Sequence, residues 1–186
     1  VGKTRLLDES LPLLAENDAT FIRAKFHTGT LCSSVSVLSD ALRHSDSVRR
    51  IIKAESPTSL DFVISSIVRI AQVRRLIIIV EDIHLLADTA LQEFAQIISA
   101  LSDEPIGLLC ASRLLDSKIR SIIEPSIVDE IHLRGWSNGE VTALWRELFS
   151  NDFIEPSFIE QFQKNTDGNP LMIRMVLHSG VRDKIP

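Results

Sequence analysis

Cysteine, glycine, proline and basic charge are all scarce in this chain, and each shortage removes a class of explanation. Of 186 residues, two are cysteine, Cys32 and Cys110. They lie far apart without metal-type spacing, so reduced thiols in a cytoplasmic setting are expected. Cys110 sits inside an apolar run and is expected in the core. Seven glycines and seven prolines, set against 45% apolar and 24% charged residues, describe an ordinary globular chain rather than a disordered one. A net charge of −5 argues against a broad basic surface for nucleic acid and leaves room only for a local patch. The longest purely apolar stretch, LIIIV at 76–80, is far too short to span a bilayer, and no signal peptide is visible. The five histidines are scattered without ligand spacing, no Ser/His/Asp arrangement is legible, and there is no internal repeat or low-complexity tract.

What is present begins at the first residues. VGKTRLLDES carries Gly2-Lys3-Thr4, the second half of G-x-x-x-x-G-K-[ST], the loop whose backbone amides cradle nucleotide phosphates. The first half of that motif, and the strand that feeds it, would lie upstream of Val1. The chain is therefore expected to be a piece cut inside its own phosphate loop.

Periodicity then gives helices alternating with buried strands. Residues 2–16 read as a helix bent at Pro12, and ATFIRAKF as a strand. Ser34 to about Val73 reads as two or three helical pieces, broken near Ser56-Pro57. RRLIIIVED follows: five apolar residues, mostly β-branched and bounded by charge, read as a strand buried on both faces of a parallel sheet. Leu91, Phe94, Ile98 and Leu101 lie at helical spacing. PIGLLCAS reads as the next short buried strand and VDEIHL as a weaker third. Such alternation implies an open α/β sheet with right-handed crossovers. After Gly135 only helices are expected: one opened by a Ser137/Glu140 capping box, one over EPSFIEQFQKN, and one started by Pro170 and stopped at Gly180. The expected division is an α/β core over 1–134 and the start of a helical lid over 135–186.

A phosphate loop needs carboxylates at the C-terminal end of a neighbouring strand, and Glu81 and Asp82 stand directly after the buried run. Magnesium takes hard oxygen ligands and keeps several waters, so one carboxylate acting through water is enough, and Thr4 should also reach the ion. The other can polarise the water that attacks the γ-phosphate. Lys3 is placed to reach the β- and γ-phosphates, and the amides at this helix start to receive phosphate charge. At the end of the following strand, Ser112 and Arg113 offer a further γ-phosphate contact, Arg113 through its fixed, always-charged fork. A solvated surface Arg is the plainer alternative. His84, two residues past Asp82, either orients the carboxylates, senses nucleotide or is simply packed. Arg120 either acts in trans on a neighbouring copy or is solvated.

GKTRLL, IIIVEDIHLLAD, LLCASR, LRGWSNGEV and TDGNPLMIRMVL, in this order and spacing, make the chain resemble the AAA/STAND group of P-loop ATPases. The likeness is greatest to modules found in bacterial signalling and transcriptional regulators beside nucleotide cyclase, protein kinase or LuxR-type DNA-binding domains. The resemblance covers nearly the whole chain. It implies a P-loop NTPase (AAA-like) α/β fold lacking its first strand, followed by a helical lid. By it, Gly2, Lys3, Thr4 and Arg5 match the end of Walker A, and Glu81 and Asp82 the Walker B pair. Ser112 and Arg113 match the sensor position, and Gly168 and Pro170 a lid element near the nucleotide. Asp-Gly-Asn-Pro is equally a good turn that starts a helix. The family often has His-Trp-Ala-Asp where this chain has His84-Leu85-Leu86-Ala87-Asp88, so no aromatic role transfers. In the family the first strand lies at the centre of the sheet beside the sensor strand, so its absence is expected to leave apolar surface and an open strand edge.

The implied activity is Mg-dependent ATP binding and slow hydrolysis, driving a switch in a larger cytoplasmic regulator. The implied cofactors are ATP and Mg2+. Expected partners are ATP and ADP, other domains of the same polypeptide and, in one variant, further copies of the chain, with neither membrane nor direct nucleic-acid contact. Two alternatives stand beside it: a non-catalytic scaffold with a degenerate site, and an oligomeric motor of origin or clamp-loader type. ATP over GTP follows from the resemblance, since the chain has no guanine-reading Asn-Lys-x-Asp stretch.

Overall fold

The structure, a computed structural model, describes residues 2–15, 18–27, 33–51, 59–113, 117–124, 129–149 and 154–178. Val1, Cys32, the Ser56-Pro57 break, Val128 and the Gly180 stop lie outside them. The chain divides into two compact units, Leu7–Asp129 and a second formed by Val1–Leu6 with Glu130–Pro186.

The larger unit is built on three parallel strands, β1 (Thr20–Lys25), β2 (Leu76–Glu81) and β3 (Ile106–Ala111), in that spatial order. β2 is central because it can be: its side chains are apolar on both faces up to Glu81, and five of its six residues are buried. β1 alternates, with Thr20, Ile22 and Ala24 buried and Arg23 and Lys25 exposed. Around the sheet run α2 (Ser34–His44), α3 (Asp46–Arg49), α4 (Leu60–Ala71), α5 (Asp88–Ala100) and α6 (Ser117–Ile123), preceded by α1 (Lys3–Ala15), which runs on through Pro12. The Ser34–Val73 stretch is thus helical in three described pieces. α2 and α4 begin at serine caps: Ser33 and Ser59 hydroxyls accept the amides of Ser36 and Phe62, each at 3.2 Å. The core gathers Ile22, Ala24 and Phe26 of the β1 segment, Leu38, Ile67, Ile70, Ile78, Val80 and Phe94. Each large side chain there contributes roughly 1.5–3 kcal/mol by leaving water. On α5, Leu91 and Phe94 are buried as the spacing predicts, but Ile97 is buried with them while Ile98 and Leu101 are half-buried.

Two strand expectations need correction. β3 forms where predicted but is not buried: Leu108 and Leu109 are each 37% exposed, and Cys110 is exposed rather than in the core. Apolarity predicts burial only where something covers the strand, and β3 is the edge of the described sheet. VDEIHL is not a strand over its described residues 129–133, where Ile131 is 74% exposed. A strand is defined by its ladder, and no neighbouring strand pairs with this segment among the described residues.

The second unit is helical over Glu130–Pro186 as far as described: α7 (Asn138–Leu148), α8 (Pro156–Thr166) and α9 (Pro170–His178). Val141, Trp145, Ile159, Phe162, Ile173 and Leu177 make its core. The expected capping box is present. Ser137 donates its amide to Glu140 Oε2 at 2.7 Å, while the Glu140 amide donates to Ser137 Oγ at 3.4 Å. The Ser137 hydroxyl, which donates to the same Oε2 at 2.6 Å, and then the Ser137 amide hold the Glu140 carboxyl below its ordinary range. Among the described residues no helix is long and apolar enough to cross a membrane.

Candidate functional site

The last ladder pairs of the sheet put Lys25 opposite Glu81, and Glu81 opposite Ala111. Both acidic residues therefore leave the C-terminal edge of the parallel sheet, where open α/β folds bind their ligands. Beyond Glu81 the chain turns sharply. Asp82 takes a left-handed conformation, φ 58° and ψ 38°, uncommon outside glycine but one that aspartate adopts more readily than most residues. It leads into a single 3-10 turn, Ile83–Leu85, anchored by Ile83 in the core.

Glu81 and Asp82 meet different surroundings. Glu81 is almost fully buried, and Arg23 Nε donates to its Oε1 at 2.7 Å; the same guanidinium donates from Nη1 to Asp8 Oδ1 of α1 at 2.6 Å. Glu81, more than Asp8, holds the Arg23 guanidinium above its ordinary range, against the opposing effect of burial. Asp82 is half-buried. Lys25 Nζ lies 3.7 Å from its Oδ2, and His84 Nδ1 lies 4.0 Å from its Oδ1. From the end of β3, the Arg113 amide donates to His84 Nδ1 at 3.5 Å. Phe26, His27, Asp82, His84, Leu85 and Arg113 line an open cleft of about 260 Å³.

Thus Asp82 and Arg113 are brought to one cleft, with Ser112 beside Arg113 in sequence. The Ser112 hydroxyl is buried and has no hydrogen-bond partner among the described residues. A buried hydroxyl without a partner among the described residues suits the oxygens of a phosphoryl group, as does the fork of an arginine. Magnesium fits less as a caged ion than as one held through water. No cluster of three His, Cys, Asp or Glu side chains suited to a metal occurs among the described residues, and Glu81 already accepts from Arg23.

Gly2, Lys3, Thr4, Arg5, Gly168 and Pro170 belong to the other unit. Gly2 has φ +89°, with its carbonyl accepting the Leu6 amide at 2.8 Å. α1 thus starts at Lys3, and the start of a helix favours anions. Pro170 is the first residue of α9, where its missing N–H costs nothing. Gly168 has a packing reason of its own. With φ +60°, a Cβ there would stand 2.5 Å from the Trp136 carbonyl oxygen, and the Gly168 carbonyl accepts the Trp136 amide at 2.7 Å. Gly135 completes the crossing, since a Cβ on it would meet the Asp167 carbonyl at 2.4 Å. The LRGW and TDGNP motifs are therefore two sides of one close backbone contact.

Arg23 and Lys25 were missed in the sequence. The available signal was charge: two basic residues on the polar face of an alternating strand, matching two acidic residues at the end of the next.

No family model and no curated protein matches this chain. Among solved structures it is similar to the ORC2 protein of Aeropyrum pernix, described as ADPNP-ADP complexes, with TM-score 0.56 and 17% identity. The match covers 87% of this chain and 46% of that one. The chain shares with that protein an α/β fold built on a parallel sheet. At this identity the likeness concerns the fold alone, and it spans less than half of the ORC2 chain.

Proposed function

We infer that this chain is an ATP-binding, slowly hydrolysing module. The single observation that carries the reading is the C-terminal edge of the sheet, where Asp82 and Arg113 share a cleft and the Ser112 hydroxyl, next in sequence, is buried without a partner among the described residues. The fold likeness to a protein whose structure holds ADPNP and ADP supports it.

In this reading Arg113 and Ser112 bind γ-phosphate oxygens, Arg113 by a bidentate fork and Ser112 by its hydroxyl. Asp82, half-open to solvent and held near Lys25, accepts a proton from the attacking water. Glu81 would hold magnesium through water, and the ion would neutralise charge on the phosphate oxygens. The roles of Gly2, Lys3, Thr4 and Arg5 toward phosphate, and of Gly168 and Pro170 in the lid, rest on the sequence motifs. The finer role is a nucleotide-driven switch in a larger signalling or transcriptional regulator, since contacts to a γ-phosphate exist in only one nucleotide state. The ORC2 likeness favours a second reading, an origin-type assembly in which Arg120 acts on a neighbouring copy.

The test is titration of the full natural protein with fluorescent ATP and magnesium. Saturable binding is expected, weakened about tenfold or more by Lys3→Ala. Glu81→Gln and Asp82→Asn should each lower phosphate release by roughly a hundredfold. Absence of binding by a folded wild-type protein would leave a scaffold. Activity that rises with protein concentration and vanishes in Arg120→Ala would favour the assembly.

A further inference from the structure

The β2–β3 ladder ends at the pair Glu81–Ala111. Past that pair, Ser112 and Arg113 have left the sheet, and the residues proposed to meet the γ-phosphate are no longer held by strand hydrogen bonds. One side chain reaches across the gap. His84 Nδ1 accepts the Arg113 amide at 3.5 Å and faces Asp82 Oδ1 at 4.0 Å, with the imidazole 16% exposed on the cleft wall. To accept at Nδ1 the ring carries its proton on Nε2. Its own position is fixed from below. Ile83 is buried, Leu85 packs on the core, and the turn is closed by the Leu85 amide donating to the Asp82 carbonyl at 2.9 Å. The imidazole therefore acts as one further rung of the ladder, supplied by a side chain after the main chains have diverged.

We propose that His84 is a positioning residue that holds the Arg113 main chain in register with Asp82, so that the water-activating carboxylate and the phosphate-binding arginine keep one spacing. This role rests on the ATP reading of the cleft. A misplacement of Arg113 by a fraction of a hydrogen-bond length would be felt at the reacting phosphate more than in ground-state binding. Asn is the conservative replacement, because its side-chain carbonyl can accept the same amide while carrying no imidazole.

The experiment uses the full natural protein and two readouts. Without nucleotide, exchange of the Arg113 amide is expected to quicken about tenfold in His84→Ala and to return toward wild type in His84→Asn. With ATP, His84→Ala is expected to lower kcat about 10- to 100-fold while changing the ATP Kd less than about threefold, and His84→Asn to recover most of the loss. An unchanged Arg113 amide, unchanged turnover, or His84→Asn as impaired as His84→Ala overturns the role. So does a parallel fall in binding and turnover, which marks general loss of structure. Failure of the wild-type protein to bind ATP at all would instead bring down the ATP reading, and the role with it, and is told apart because both variants would then match wild type in every nucleotide assay.

Discussion

Arg23 carries more of the site than its place on an ordinary strand suggests. It is one third exposed, yet its guanidinium joins buried Glu81 of β2 to Asp8 of α1. Removing it takes the guanidinium from a carboxylate in the protein interior, and breaking such a pair from one side costs more than the pair is worth. Arg23→Ala should therefore lower unfolding stability by about 1–3 kcal/mol, discounted for the open side of the pair, and adding Glu81→Gln should recover part of the loss. Chemical denaturation of the two variants and their combination measures this. Strict additivity would show that the pair is not coupled. Arg23 also explains why the site was only partly legible. Glu81, Asp82 and Arg113 announce themselves by following apolar runs, a local signal. The Arg23–Glu81 bond joins residues far apart in sequence, and only strand register reveals it.

Elements set by local rules were the most readable. β2 is bounded by charge and filled with β-branched residues. α7 starts where Ser137 and Glu140 cap each other, and α9 starts at Pro170. The cap carries a pH expectation. Glu140 titrates below its ordinary range because the Ser137 hydroxyl and amide bond its charged form. A group whose folded value is depressed contributes fully above its unfolded value, and its contribution fades as pH falls through the folded one. The start of α7 should thus hold through the range where ordinary glutamates protonate and loosen only in stronger acid. Exchange of the Glu140 amide followed against pH checks this, and in Glu140→Gln the acid-dependent step should vanish. Elements that depend on neighbours were less readable. β3 is apolar and residues 129–133 carry Ile131 and Leu133, yet one is an exposed edge and the other pairs with no strand among the described residues. Their sequences state what they prefer to bury, not whether anything arrives to cover them.

For the molecule as a whole, the open side of the sheet sets behaviour in solution. Leu108 and Leu109 point to opposite faces of β3, and both are exposed on the edge strand of the described sheet, a template for another strand. The 186-residue chain on its own should self-associate with rising concentration, and Leu109→Lys should reduce this. Sedimentation velocity decides it, and a monomer at all concentrations would count against an adhesive edge. The same sheet also sets an order of events. Between β2 and β3 stand only the 3-10 turn and α5, whereas α2, α3 and α4 all intervene between β1 and β2. Closing the longer connection spends more chain entropy before any main-chain bond repays it, so β2 finds β3 first. Of these three strands β1 is thus synthesised first and docks last, and until it does Arg23 is absent from Glu81. The acidic end of the central strand is assembled before the residue that neutralises it.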